Sequence, residues 1–186
     1  MSEFMAGGRR RVDRVLAPDY LDGLSGLALE DIRQRRAEAE QEEVDLSYAR
    51  RLLQGRLDIL RAEQETRATG GAVIRAPRTD VEIVGALARI LADGPRSDHG
   101  MGRYLGNVEP SRVGEHRREA ERAVADVGSS DLAAMSDAVL AEAIEHLGDI
   151  ETRISRTRRS VQIVVDSLTE EIARRYATGE IAVSVG

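Results

Sequence analysis

Two stretches of this chain carry the same alternation of apolar and polar positions. In the first, Leu46, Ala49, Leu53, Leu57 and Leu60 recur in steps of three and four; in the second, Ile154, Thr157, Val161, Val165 and Leu168 do the same. That spacing predicts two amphipathic α-helices, each with a coiled-coil seam along one side. Beside each seam runs a polar stripe, Glu43, Ser47, Arg50, Gln54 and Asp58 in the first copy and Glu151, Ser155, Arg158, Gln162 and Asp166 in the second. The pattern is E-x3-S-x2-R-x3-Q-x3-D, written twice, one hundred and eight positions apart. At roughly 100° per residue, the five positions of a copy fall within an arc of about 80°. The correspondence extends upstream, where Leu24, Leu27 and Ile32 match Leu132, Met135 and Leu140. A duplicated helix is the simplest account.

The intervening residues divide accordingly. Residues 1–16, with Gly7-Gly8 and Arg9-Arg10-Arg11, are expected to form a flexible basic arm, and residues 17–186 one elongated helical domain. Asp19 to Leu24 predicts a short helical turn, with Asp19 as its cap after Pro18. From about 29 to 68 the chain is rich in Glu, Arg, Gln, Ala and Leu, all good helix formers. Gly55 is the exception, but it lies off the polar stripe and is expected to be tolerated. No proline stands between Asp19 and Ala76, and Gly70-Gly71 supplies a stop. The connecting segment 72–131 predicts a short helix from Val81 to about Ala92, a glycine-rich loop from Gly94 to Gly106, and another helix from Pro110-Ser111 to about Val127. The second long helix is expected over about 136–178, stopped by Gly179, with Ile181 to Val185 as a tail. The fold class is therefore all-α. An antiparallel pair is expected, because a parallel one would force the connection to travel back more than about 50 Å.

Composition narrows the picture. With one Phe, no Trp and 32% charged residues, a narrow aliphatic seam is better supported than a large globular core. The net charge of −6 argues against a general nucleic-acid binder and suits a partner with basic surfaces. Every Lys/Arg position is Arg, which can stack and bind bidentately. Cysteine is absent, so disulfides and thiolate chemistry are excluded. No apolar run approaches the ~20 residues of a membrane span, and Met1 to Met5 lacks the apolar core of a signal peptide, so the expected location is the cytoplasm. His99, His116 and His146 have no metal-ligand spacing, and no paired acid and base or activated serine stands out. The chain reads as a non-enzyme.

The doubled E-x3-S-x2-R-x3-Q-x3-D signature closely resembles that of the RsiG family of anti-sigma factors of streptomycetes, with all ten positions matched. The resemblance implies that the two stripes bind cyclic di-GMP, as a dimer of two molecules, on an antiparallel helical pair. It further implies that the loaded protein sequesters a sporulation sigma factor of the WhiG type.

The residues themselves define a guanine-compatible face. Carboxylates such as Asp58 and Asp166 can accept from the N1–H and N2–H2 edge of guanine, while Arg50 and Arg158 can bind O6 and N7 or stack on a base. Ser47, Gln54 and their copies suit ribose or phosphate oxygens. The ten residues sum to −2, so the carboxylates are better explained as base readers than as phosphate binders. Phosphate charge then falls to Arg50 and Arg158, helped by Arg51 and Arg159 or by basic residues of a partner. Such residues also make ordinary solvated, ion-paired helix faces. A solvated face gives no reason for two matched copies in phase with their seams. The alternative functions are a ligand-independent coiled-coil adaptor and, from a third class, an enzyme acting on cyclic di-GMP.

Overall fold

In a computed structural model, residues 5, 7–69, 110, 114–128 and 132–179 are described. Four α-helices are found among them: α1 (Arg11–Val15), α2 (Leu29–Ala68), α3 (Glu115–Gly128) and α4 (Asp137–Ala177). Among the described residues there is no strand, and the fold is all-α. The expected helix over Val81 to Ala92, the Gly94–Gly106 loop and the 181–185 tail lie outside the described residues. The helix expected from Pro110-Ser111 is found from Glu115 onward.

The two long helices pack against each other and run antiparallel. At 40 residues, α2 spans about 60 Å. All ten seam residues are buried, Leu46, Ala49, Leu53, Leu60, Val161 and Leu168 completely. Ile32 and Leu140 continue the seam, with Leu24, Leu27, Leu132 and Met135 packed at its ends. Gly55 is exposed, and a Cβ there would meet nothing within 4 Å, so its only cost is conformational freedom. Ser136 caps α4, its hydroxyl accepting from the Val139 N–H at 3.3 Å. Gly179, at φ +71°, follows the last turn in the left-handed conformation that glycine adopts without penalty.

Two arginines fasten the ends of the pair. Near the end of α2, Arg67 donates to the carbonyls of Leu132 and Met135, both at 2.6 Å, and pairs with Asp137 at 2.9 Å. At the other end Arg175, in the last turn of α4, donates to the carbonyls of Leu24 and Leu27 at 2.6 and 2.8 Å. Arg67 and Arg175 stand at the same offset as the two motifs, and so do the leucine and methionine carbonyls they hold. Each clamp closes the other helix's lead-in.

The remaining helices pack on one side of this joint. Helix α3 contributes Ala120, Ala123 and Val127 to the core. It is fastened by His116 to Glu42 at 2.9 Å, Arg56 to the Val127 carbonyl at 3.0 Å, Arg153 to Glu119, and Arg117 over the Tyr48 ring.

The N-terminal segment differs from the expected flexible arm. Arg11–Val15 is a short helix with Val12 and Val15 buried. Arg11 bonds to Glu42 at 2.6 Å and also to Asp45, two carboxylates of α2 that are almost fully buried. Apolar burial and a guanidinium that bridges two carboxylates outweigh the entropy of ordering so short a segment. The lead-in wraps the carboxylate of Asp13, which accepts from the Met5 N–H at 2.8 Å and from Arg10 Nε and Nη2 at 2.8 and 2.7 Å. A Cβ on Gly8 would come within 2.2 Å of that carboxylate, so the position has room only for glycine.

The hydrogen bond from Arg10 holds the Asp13 carboxyl at about 2, below its ordinary 3.8, against the opposing effect of burial. A folded-state value below the unfolded one gives stability that is present above about pH 4 and is lost as pH falls toward 2. Asp13→Asn is therefore expected to melt below the wild type at pH 5 and to converge with it near pH 2. Parallel melting curves across that window would show that the charge contributes nothing.

Candidate functional site

The ten motif residues lie on the open side of the joint. On α2, the seam centres about 100° from the stripe; of the positions that meet α1 and α3, Glu42 lies in line with the seam and Asp45, Tyr48 and Arg56 lie outside both seam and stripe. The same holds on α4, where Arg153 faces α3. No described element covers the stripes.

Across the joint the two copies engage each other reciprocally. Glu151 accepts from Arg50 Nε at 3.0 Å and from Gln54 Nε2 at 3.1 Å. Glu43 accepts from Arg158 Nη1 at 3.4 Å and from Gln162 Nε2. Exchanging each residue for its copy turns the first set into the second, which is the signature of a pseudo-twofold axis between antiparallel helices. Ser155 adds a 2.9 Å bond to Glu151 within its own helix.

These contacts change the role of two carboxylates. Glu43, 2% exposed, and the half-buried Glu151 serve as anchors that aim the opposite helix's Arg and Gln. Asp58 and Asp166 lie about 12 Å further along their helices from Arg50 and Arg158, at opposite ends of the face. Asp58 is exposed and Asp166 partly so.

The middle of the face is correspondingly positive, with Arg50, Arg51, Arg158 and Arg159 set against Glu43 and Glu151. Burial, and next the charge of Arg50, hold the Arg158 guanidinium below the usual arginine range; Glu43 opposes this, and Arg159 and Arg51 add to it. A guanidinium disfavoured by neighbouring guanidiniums marks a place where an anion is favoured. The total of −2 over ten residues therefore conceals a division into a cationic centre and anionic ends.

Two hollows among the described residues bear on the site. The larger, about 540 Å³, lies between α3 and α4, is floored by Ile150, Ile154 and Thr157, and contains none of the ten motif residues. The smaller, about 360 Å³, lies on the motif face and includes Gln54 and Glu151.

The sequence reading missed the Arg67 and Arg175 clamps and the docking of α1. The clamps were detectable, since both arginines keep the offset of the repeat. For α1 the signal was Val12, Val15 and Leu16, an apolar set at helical spacing. The buried anchoring by Glu43 had no local signal.

The described fold is an antiparallel helical pair with a pseudo-twofold, cation-centred face. The sequence matches the RsiG-like family over residues 18–91 and 126–185, well over half of the chain, and the chain belongs to that family. Membership points to an anti-sigma role, regulatory in kind. No curated protein matches the sequence. Among the described residues, no helix is long and apolar enough to cross a membrane.

Proposed function

We propose that the open face binds cyclic di-GMP, two molecules as a dimer, and that the loaded protein sequesters a sporulation sigma factor of the WhiG type in the cytoplasm, blocking its transcription. The observation that carries this reading is the reciprocal pairing of Arg50 and Gln54 with Glu151, and of Arg158 and Gln162 with Glu43. It presents two equal sets of donors about one axis, as a twofold-symmetric ligand requires. The chemistry of the donors fits the nucleotide. Arg50 and Arg158, with Arg51 and Arg159 beside them, meet phosphate charge, and Asp58 and Asp166 accept from guanine edges at the ends of the face. The two glutamates keep the arginines in place beforehand, which lowers the ordering cost of binding.

A second reading draws on the same contacts. Glu43 and Glu151 already satisfy the opposite Arg and Gln, as they would on a ligand-independent adaptor that uses the face for protein contacts alone.

Sigma-factor affinity measured with and without saturating cyclic di-GMP decides between the two. Nucleotide at the junction of the proteins makes the coupling reciprocal, and such couplings are usually about 1–3 kcal/mol, or roughly 5–150-fold in affinity. The expected result is tighter sigma binding in the presence of the nucleotide, by a factor in that range. Equal affinities would remove the nucleotide from the interface and leave the adaptor.

A further inference from the structure

The pseudo-twofold axis relates the motif residues, but it does not relate their surroundings. The 360 Å³ hollow on the motif face is bounded by Gln54, Leu57, Arg61, Ile144, Gly148 and Glu151. Its volume lies within the roughly 300–1,000 Å³ of small-molecule sites. Leu57, 2% exposed, and the partly buried Ile144 give it an apolar floor; Gln54, Glu145, Asp149, Glu151 and the exposed Arg61 give it a polar rim. A Cβ on Gly148 would meet nothing within 4 Å, so the space above that helical position is open.

At the mirror position the counterparts of Ile144 and Gly148 are Arg36 and Glu40. They form a half-buried ion pair at 3.2 Å, where the other end has isoleucine and glycine. The counterpart of Arg61 is Thr169, which carries no charge and bonds back to the Val165 carbonyl at 2.7 Å. One end of the face is therefore hollow, with Arg61 and the carboxylates of Glu145, Asp149 and Glu151 around it, and the other carries an ion pair at the matching positions. Asp58 belongs to the hollow end, being next to Leu57 and three positions before Arg61 on the same helix.

We infer that the two ends are unequal seats, and that the hollow beside Gly148 is where a guanine base is received first, flat on Leu57 and Ile144 with Arg61 at its rim. This rests on the nucleotide reading above and adds to it an order of occupation and three contact residues outside the motif. An apolar floor with a polar border suits the face and edge of a flat heterocycle. Seating a base at the other end requires Arg36 and Glu40 to part, so that end fills second and more weakly. It follows that Asp58 matters more to the first binding event than Asp166.

The test is calorimetric titration of the full chain with cyclic di-GMP, comparing wild type with Gly148→Glu, which installs the counterpart's side chain in the hollow. Glutamate is the better helix former, so melting temperature should not fall. The expected result is a loss of at least tenfold in the tighter binding step, while Gly148→Ala stays within about threefold of wild type. Arg61→Ala should weaken that step and Thr169→Ala should leave it unchanged. Wild-type titration that shows no binding overturns the nucleotide reading and this inference together. Normal wild-type binding with Gly148→Glu and Arg61→Ala both indistinguishable from it overturns the inference alone.

Discussion

Leu53→Asp is expected to abolish the cooperative melting of the helical pair, or to lower its midpoint by more than about 10 °C. Leu53 is completely buried at the middle of the seam. Truncating a buried leucine alone costs about 2–5 kcal/mol, and a carboxylate there adds the cost of burying a charge with no partner. Marginal stabilities of about 5–15 kcal/mol cannot absorb both, and for a chain of this size each kcal/mol is worth about 2–4 °C. Gly55→Ala is the control on the same helix, exposed and with open space for a Cβ, and should be neutral or stabilising by up to about 1 kcal/mol. Circular dichroism melting of the two variants checks this. A Leu53→Asp curve that overlays the wild type would mean that the joint does not pass through this position.

The second large effect is expected at the cationic centre. Arg158→Ala should weaken cyclic di-GMP binding by roughly 10–150-fold, the equivalent of one charge-assisted hydrogen bond of about 1.5–3 kcal/mol. Its effect on folding should be small. The variant loses the 3.4 Å contact to Glu43, but Gln162 still donates to that carboxylate, and the repulsion from Arg50 is relieved. Arg50→Ala should behave in the same way, because Gln54 and Ser155 remain on Glu151. Titration and melting on the same samples separate binding from stability. Full binding by both variants would show that the centre does not hold the phosphates, and the proposed ligand site would fall.

Helical periodicity is a local property, set by side chains three and four positions apart, and it is legible along one chain. The positions of α2 and α4, the ten seam residues and the two polar stripes all follow from it. The connection length made the antiparallel arrangement the simpler one, and the structure has that arrangement. The offset shared by Arg67 and Arg175 was equally present in the sequence, although their role as clamps appears only when each meets the other helix's lead-in.

What tertiary structure alone decided depends on register across the joint. Sequence chemistry offered Glu43 and Glu151 as readers of a base. Only the alignment of α2 with α4 places each within hydrogen-bond reach of the other helix's Arg and Gln, and so makes them anchors. The same alignment sets Gly148 opposite Leu57 at one end of the face and leaves the Arg36–Glu40 pair at the other. The basic N-terminus is the third case. Its arginines look solvated in isolation, but Glu42 and Asp45 of α2 offer Arg11 buried carboxylates that no nearby residue announces. Repeat and periodicity determined which helices form and which faces they present. Packing between distant segments determined which charges pair inside the protein and which stay at its surface.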